Sequence, residues 1–324
     1  MELTIVQAVN QGLFEEMRRN KNILVFGEDI AKNGGVFRAT QGLLDEFGSE
    51  RVFNTPLNES GIIGFAVGLA LYGLKPVAEI QFADFIWPAM DQLVSELAKL
   101  RFRTGGQFPA PVVVRAPYGG GIKGALYHSQ SIETYFAHTA GIKIVIPSNP
   151  YDTKGLLVAA LREPDPVLFL EPKPIYRSIK QDVPEGYYEV PIGSAAVPRT
   201  GDDVTLICYG AMVPVCLEAA RIAEEEGRIS CEVIDLRTLV PYDLQAIEKS
   251  VKKTGRVVNV YEAPKTLGFG AEMSATIAER YIEYLKGPIL RVTGYDTPFP
   301  FKLEMDYLPD PYKVFEAIKK VYNF

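Results

Sequence analysis

The stretch of sequence that decides the fold is residues 142–170. It contains Ile-Lys-Ile-Val-Ile at residues 142–146, a helical pattern from Asp152 to Arg162, and Val-Leu-Phe-Leu at residues 167–170. Both apolar runs are continuous, which is typical of strands that are buried on both faces of a sheet. Two such strands joined by a helix form a unit in which the strands run parallel. The rest of the chain extends this pattern in both directions.

The first half of the chain alternates short strand patterns with longer helical patterns. Strands are predicted at residues 23–26, 76–82 and 112–114, and helices from Glu59 to Tyr72 and from about Trp87 to Phe102. Alternation of this kind implies a mostly parallel sheet with helices on both faces. The first half is therefore predicted to be a doubly wound α/β domain.

The alternation stops near residue 180 and resumes after residue 203. The intervening segment is polar and rich in turn residues, which is typical of a connection between domains. Beyond it, strands are predicted at 204–208, 231–234, 257–261 and 289–292, and helices near 215–226, 244–253 and 271–284. A length of 324 residues also favours two domains. We predict two doubly wound α/β domains at residues 1–185 and 203–324, joined by a linker at 186–202.

Composition and charge exclude several classes of protein. The net charge of −6 argues against a nucleic-acid surface, where a basic patch is expected. The three cysteines fit neither a metal site nor a disulfide framework, and Cys208 and Cys231 are predicted to be small core residues. No secretory signal is visible, and the longest apolar run, residues 61–74, is too short to span a bilayer. We expect a cytoplasmic protein that binds neither nucleic acid nor membrane.

Glu59 is the residue that most clearly indicates chemistry. It lies in Thr-Pro-Leu-Asn-Glu-Ser-Gly-Ile at residues 55–62, where Asn58 is a good helix cap. The helix that follows is apolar nearly all round, which predicts burial, and its glycines permit close approach by a backbone or a flat ligand. A buried carboxylate is unfavourable unless something pairs with it. Glu59 therefore either complements the helix dipole, worth under ~1 kcal/mol, or pairs with a bound group.

The chain has only two histidines, His128 and His138. His128 lies in Gly-Ala-Leu-Tyr-His-Ser-Gln-Ser at residues 124–131, after three glycines at residues 119–121 that lack the spacing of a phosphate-binding fingerprint. A histidine after a strand can handle a substrate carboxylate or shuttle a proton near neutral pH, or it can simply hydrogen-bond at the surface. His138 has no such loop context and is predicted to be structural or interfacial.

Aromatic residues follow the strand that carries Glu79 and Gln81. Phe82 is predicted to pack in the core at the junction between strand and helix. Phe85 either packs there as well or offers a flat face to an aromatic ring.

Several motifs together resemble one family of enzymes. The three longest are Thr-Pro-Leu-x-Glu at residues 55–59, Glu-Ile-Gln-Phe-x-Asp-Phe at residues 79–85 and the histidine motif at residues 124–131. Shorter matches lie at residues 27–29, 152–157, 171–177 and 235–241. They resemble the beta subunit of the thiamine-diphosphate-dependent decarboxylase component of a 2-oxo acid dehydrogenase complex. The resemblance covers essentially the whole chain.

The resemblance implies a role for each domain and for a partner. The first domain would bind the pyrimidine of the cofactor, and the second would be a transketolase-like C-terminal domain. Two alpha and two beta chains would form a heterotetramer, which would dock on a dihydrolipoyl acyltransferase core. The alpha chain would hold Mg²⁺ and the diphosphate, because this chain lacks the Gly-Asp-Gly sequence with paired asparagines downstream that thiamine enzymes use for that purpose.

The resemblance also implies roles for individual residues. Glu59 would bond to a ring nitrogen of the aminopyrimidine and favour its imino tautomer, whose 4′-imino group removes the C2 proton of the thiazolium. Gln81 and Phe85 would line the aminopyrimidine pocket, with Leu57 beside them. His128 would contact the substrate or reaction intermediate and assist transfer to the lipoyl group.

Members of the family often bind a structural potassium ion through this subunit. Several of the matching positions would act through backbone carbonyls, so the side chains there say little. The matching positions are Ala110, Val112, Val113, Ala160, Glu163 and Asp165.

Two of the motifs also indicate the class of substrate. The histidine motif and Glu-Pro-Lys at residues 171–173 resemble branched-chain enzymes more than pyruvate enzymes, so we expect a branched-chain 2-oxo acid. A pyruvate or acetoin dehydrogenase beta subunit is an alternative within the same enzyme class. A non-catalytic docking subunit is an alternative from a different class, which would have no need of Glu59 or His128.

Overall fold

The computed structural model describes all 324 residues, which divide into two compact units. The first comprises Met1–Tyr118 and Tyr135–Ile192, and the second comprises Gly119–Thr134 and Gly193–Phe324. The loop that carries His128 therefore belongs to the second unit. No helix in the chain combines the length and the apolar character needed to cross a membrane.

The first unit is built on a sheet of six parallel strands. In spatial order the strands are β6, β7, β5, β4, β2 and β3, and a separate antiparallel pair joins β1 to β8. Their bounds are β1 (Glu2–Thr4), β2 (Ile23–Gly27), β3 (Val52–Asn54), β4 (Lys75–Glu79), β5 (Val113–Tyr118), β6 (Lys143–Val145), β7 (Val167–Pro172) and β8 (Lys180–Asp182). All six residues of β5 and of β7 are buried, as the continuous apolar runs predict.

Helices flank this sheet. Their bounds are α1 (Ile5–Arg19), α2 (Leu43–Phe47), α3 (Glu59–Leu71), α4 (Leu100–Arg103), α5 (Glu133–Ala137, which begins in the second unit) and α6 (Pro150–Arg162). Thr4 begins α1 with a capping box, in which its side chain accepts from the backbone of Gln7. The helix α6 packs against α1, where Gly12 lies close to Leu157.

Two details of the predicted helices differ from the structure. The single helix predicted from Trp87 to Phe102 is instead a 3₁₀ turn at Trp87–Ala89, a π-helical turn at Asp91–Leu97 and the short α4. Pro88 lacks an amide hydrogen and so cannot donate a helical hydrogen bond, and Leu93 and Leu97 of the π-helical turn are both buried in the core. The helix α3 is not buried all round in the single chain, because Phe65 and Leu71 are exposed on one face.

The second unit contains a five-stranded sheet in the order β14, β13, β10, β11 and β9, in which only β9 is antiparallel. The strands of this sheet are β9 (Ala196–Arg199), β10 (Val204–Cys208), β11 (Cys231–Asp235), β13 (Val257–Pro264) and β14 (Leu290–Gly294), and a further short strand, β12 (Thr238–Val240), lies outside it. The helices are α7 (Met212–Gly227), α8 (Leu244–Thr254), α9 (Phe269–Tyr281), α10 (Glu304–Tyr307) and α11 (Pro311–Tyr322).

These arrangements confirm the prediction of two doubly wound α/β folds with mostly parallel sheets. Cys208 and Cys231 are buried, as predicted. The strand β9 lies inside the segment 186–202 that the sequence predicts as a linker, because an edge strand interrupted by Pro198 has the composition of a turn.

Candidate active site

One edge of the first sheet gathers most of the predicted site residues. The strands β4, β2 and β3 lie side by side and parallel, so their carboxyl ends meet at the same edge. Glu59 follows β3, and Gln81 and Phe85 follow β4. In open α/β sheets, ligands bind at this edge.

Glu59 is the first residue of α3, as the sequence predicts. The side chain of Asn58 caps the helix by accepting the amide of Gly61 at 2.9 Å. Glu59 is only 9% exposed, and no lysine or arginine of this chain forms an ion pair with it. Its carboxylate lies where the helix dipole favours negative charge, and it is available to accept a hydrogen bond from a ligand.

Glu28 is a second acid at this edge, to which the sequence analysis gave no role. It follows directly after β2, and burial raises the pKa of its carboxyl, with further contributions from the negative charges of Glu59 and Asp29. Its Oε1 is buried without a hydrogen-bond partner in the chain. An acidic residue at the end of a buried strand is the sequence signal that could have identified it.

Gln81, Phe85 and Leu57 complete the predicted set in this unit. The amide of Gln81 donates to Asp29 at 3.3 Å, which fixes its side chain beside the acids. Phe85 is half-buried and meets the ring of Phe82 edge-on at 5.5 Å, whereas Leu57 is 80% exposed. The edge thus offers three carboxylates, an amide and an aromatic ring.

A buried ion network lies at the carboxyl end of β4. Arg115 on β5 donates to Glu79 at 2.8 Å and to both oxygens of Glu171 at 2.7 and 3.0 Å. Tyr176 also donates to Glu171, and burial raises the pKa of that phenol and of the Glu79 carboxyl. Since Glu79 is the last residue of β4, this network fixes the strand end from which Gln81 follows.

His128 lies in the second unit, in the loop that follows β5. It is half-exposed, and the loop around it closes where the amide of Gly119 donates to the carbonyl of Gln130 at 3.1 Å. Gly119 and Gly121 both have positive φ values, +83° and +81°, which explains the need for glycine there. His138 is exposed.

Glu133 is a buried acid near the end of the same loop. The hydroxyl of Tyr209 donates to its Oε1 at 2.8 Å, while its Oε2 has no partner in the chain. Burial raises the pKa of Glu133 to about 7, and the negative charge of Glu262 acts in the same direction. Glu133 therefore takes up a proton near neutral pH.

This shift predicts that the protein becomes less stable as pH rises. The Glu133 carboxyl binds its proton more tightly in the folded chain, at about 7, than in the unfolded chain, at 4.5. The stabilisation is complete below pH 4.5 and is lost as the pH rises through about 7, a change on the order of 3 kcal/mol. Glu133→Gln should remove this part of the pH dependence, measured as the free energy of unfolding in urea at acidic and alkaline pH. An unchanged pH dependence in this variant, compared with an exposed control such as Glu283→Gln, would contradict the assignment.

The segments predicted to hold potassium adjoin in the first unit. The amide of Ala110 donates to the carbonyl of Pro164 at 2.9 Å, which joins residues 110–113 to the end of α6. The side chains of Glu163 and Asp165 are each engaged in an ion pair. A cation here would therefore be held by backbone carbonyls, including those at the negative end of a helix dipole. A potassium site at these segments remains a prediction.

Comparison with known proteins defines the class. Residues 1–178 match the family model of the transketolase pyrimidine-binding domain, and residues 193–314 match that of the transketolase C-terminal domain. A solved structure described as a split-gene transketolase, an inactive beta4 tetramer, superposes with a TM-score of 0.80 at 24% identity, covering 99% of this chain and 98% of that one. A transketolase from Pichia stipitis superposes with a TM-score of 0.70 at 16% identity, covering all of this chain and 46% of that one. The chain thus has the fold of transketolase-type enzymes.

Similar curated proteins narrow the class further. The chain is 55% identical to the mitochondrial 2-oxoisovalerate dehydrogenase subunit beta of Dictyostelium discoideum, over 98% of this chain and 86% of that protein. It is 49% identical to the pyruvate dehydrogenase E1 component subunit beta of Bacillus subtilis, over 100% and 99%. It is 47% identical to the 2-oxoisovalerate dehydrogenase subunit beta of Pseudomonas aeruginosa, over 98% and 95%. The chain belongs to the family of 2-oxo acid dehydrogenase beta subunits, which depends on thiamine diphosphate, and the resemblance of its motifs is confirmed.

Proposed function

We propose that this chain and an alpha subunit together decarboxylate a branched-chain 2-oxo acid and transfer the acyl group to the lipoyl domain of an acyltransferase. The observation that carries the proposal is Glu59, a buried carboxylate at the ligand-binding edge of the sheet that lacks an ion-pair partner within the chain. Burial without a partner is unfavourable, so the position is best explained by a bound group that donates to it.

The residues at this edge suit the aminopyrimidine of thiamine diphosphate. When bound, the cofactor supplies the carbon nucleophile that attacks the keto carbon of the substrate. Glu59 would accept a hydrogen bond from a ring nitrogen, and the half-buried face of Phe85 would pack against a flat ring. Glu28 lies beside Glu59, and burial together with the negative charges of Glu59 and Asp29 raises the pKa of its carboxyl.

His128 serves the later part of the reaction. Its half-exposed position in a glycine-rich loop leaves the imidazole accessible, and an imidazole can both donate and accept hydrogen bonds. We propose that it orients the substrate or intermediate and assists transfer of the acyl group to the lipoyl group.

The partners follow from what the chain lacks. No Gly-Asp-Gly motif is present, so Mg²⁺ and the diphosphate would be held by an alpha subunit, in a heterotetramer of two alpha and two beta chains. Potassium at residues 110–113 and 160–165 would be structural. We also propose a cytoplasmic location. The relatives from Dictyostelium discoideum and Arabidopsis thaliana, in contrast, are named as mitochondrial.

The proposal is tested by substrate preference. The chain is assembled with an alpha subunit that contains the Gly-Asp-Gly motif, and turnover is measured with 2-oxoisovalerate, pyruvate and acetoin. We expect kcat/KM for 2-oxoisovalerate to exceed that for pyruvate by about 10-fold or more, since each additional methylene in an apolar pocket contributes 10- to 200-fold. Neither subunit alone should turn over.

The other outcomes separate the alternatives. A preference for pyruvate or acetoin would retain the enzyme class and overturn the substrate. Assembly without turnover of any of the three compounds would favour a docking subunit.

A further inference from the structure

The loop that carries His128 is held by carboxylates of the second unit. Residues 119–124 contain several backbone amides in close succession, and positive φ values at Gly119, Gly121 and Lys123 turn the backbone repeatedly. Successive amides in such conformations form a concavity that attracts anions. Here two carboxylates of the same unit occupy it.

Glu304, the first residue of α10, makes the larger contribution. Its Oε1 accepts the amide of Gly121 at 2.8 Å, and its Oε2 accepts the amide of Lys123 at 2.9 Å. The side chain is buried, so these charge-assisted bonds are only weakly screened by water. A single carboxylate thus fixes two points of the loop.

Glu262 on β13 fixes a third point. Its Oε2 accepts the amide of Gly120 at 2.9 Å. A Cβ at Gly120 would lie 2.6 Å from the ring of Phe299, so the backbone is pressed close to this unit. The two glutamates therefore bind three amides within four residues.

The segment whose amides are bound, residues 120–123, leads directly into a residue that contacts His128. A Cβ at Gly124, the residue after Lys123, would lie 2.7 Å from both the Cβ and the carbonyl oxygen of His128. The backbone position at residues 123–124 therefore determines where the histidine can sit.

Packing of apolar side chains contributes little to holding this loop. Ile122, Leu126 and Tyr127 are all exposed. A loop with few buried apolar contacts opens at low free energy unless other bonds restrain it. The carboxylate–amide bonds supply such a restraint at residues 120–123.

We infer that Glu304 is a positioning residue for His128: by binding the amides of Gly121 and Lys123, it holds the imidazole in the geometry that acyl transfer requires. The inference rests on the role proposed above for His128. A displacement of about 1 Å can slow a reaction about 100-fold, so loss of this restraint should be visible in the rate.

The test compares two rates in the assembled enzyme. One is acylation of a free lipoyl domain, and the other is decarboxylation measured with an artificial electron acceptor. In Glu304→Ala, the ratio of the acylation rate to the decarboxylation rate should fall about 10- to 100-fold. Glu304→Gln keeps one acceptor oxygen and should give an intermediate ratio of the two rates. If the alanine variant does not fold, the glutamine variant provides the test. Glu283→Gln, at an exposed glutamate of the same unit, is the matched control and should leave both rates unchanged.

Comparison with His128→Ala separates the inference from the function on which it rests. If Glu304 acts through His128, the double variant should be no worse than His128→Ala alone. Equal falls in both rates, or additive losses in the double variant, would overturn the positioning role. If the ratio of acylation to decarboxylation is normal in Glu304→Ala but low in His128→Ala, this inference is overturned and the proposed function is left intact. A normal ratio in His128→Ala would instead contradict the proposed role of the histidine.

Discussion

Replacement of Glu59 by glutamine is expected to slow decarboxylation by the assembled enzyme roughly 10²- to 10⁴-fold. Glutamine has nearly the same size, but its amide carries no charge and cannot stabilise a proton on the ring nitrogen of the cofactor. The measurement is kcat for the 2-oxo acid at saturating thiamine diphosphate. Assembly with the alpha subunit, followed by gel filtration, should be unaffected.

A matched control distinguishes this role from a helix-dipole role. Glu272 is also an acidic residue in the first turn of a helix, α9, and it is exposed. If Glu59 only complemented the dipole of α3, its replacement would change stability by under ~1 kcal/mol and leave turnover intact, as expected for Glu272→Gln. Similar turnover in the two variants would contradict cofactor activation by Glu59.

Replacement of Arg115 by methionine is expected to destabilise the chain by roughly 3–5 kcal/mol. Arg115, Glu79 and Glu171 are almost completely buried, so removal of the cation leaves two carboxylates without a charged partner. The measurement is the free energy of unfolding of the purified chain in urea. Because Glu79 ends β4, the displaced strand end should also lower turnover in the assembled enzyme.

Two further variants sharpen this prediction. Arg221 pairs with Glu218 and Glu225 on the exposed face of α7, and Arg221→Met should change stability little, because water screens those pairs. Adding Glu79→Gln to Arg115→Met removes one of the unpaired charges and should recover part of the loss. Equal stability of Arg115→Met and Arg221→Met would show that the buried network does not stabilise the fold.

The sequence predicted the local parts of the site. The helix that begins at Glu59 was predicted within one residue of its observed end, because a capping asparagine and a long apolar segment specify it locally. The placement of Gln81 and Phe85 after β4 follows for the same reason. The single helix predicted from Trp87 is instead divided into a 3₁₀ turn, a π-helical turn and a short α-helix, because apolar periodicity does not distinguish these helical forms.

The parts that could not be predicted depend on contacts between distant segments. The sequence shows a charged Arg115 inside an apolar strand, but the parallel register that brings it to Glu171 is set by the whole sheet. Likewise, Glu304 lies 183 positions from Gly121 and Glu262 lies 142 positions from Gly120. Nothing in the local sequence of either glutamate indicates that it binds the His128 loop.

The most direct test of the central claim measures cofactor activation itself. Exchange of the C2 proton of thiamine diphosphate with deuterium is followed by NMR after acid quenching, in the enzyme assembled with the alpha subunit. We predict that exchange in Glu59→Gln is at least about 100-fold slower than in the unmodified enzyme, while the cofactor remains bound. Equal exchange rates in the two enzymes would contradict the conclusion that Glu59 activates the cofactor.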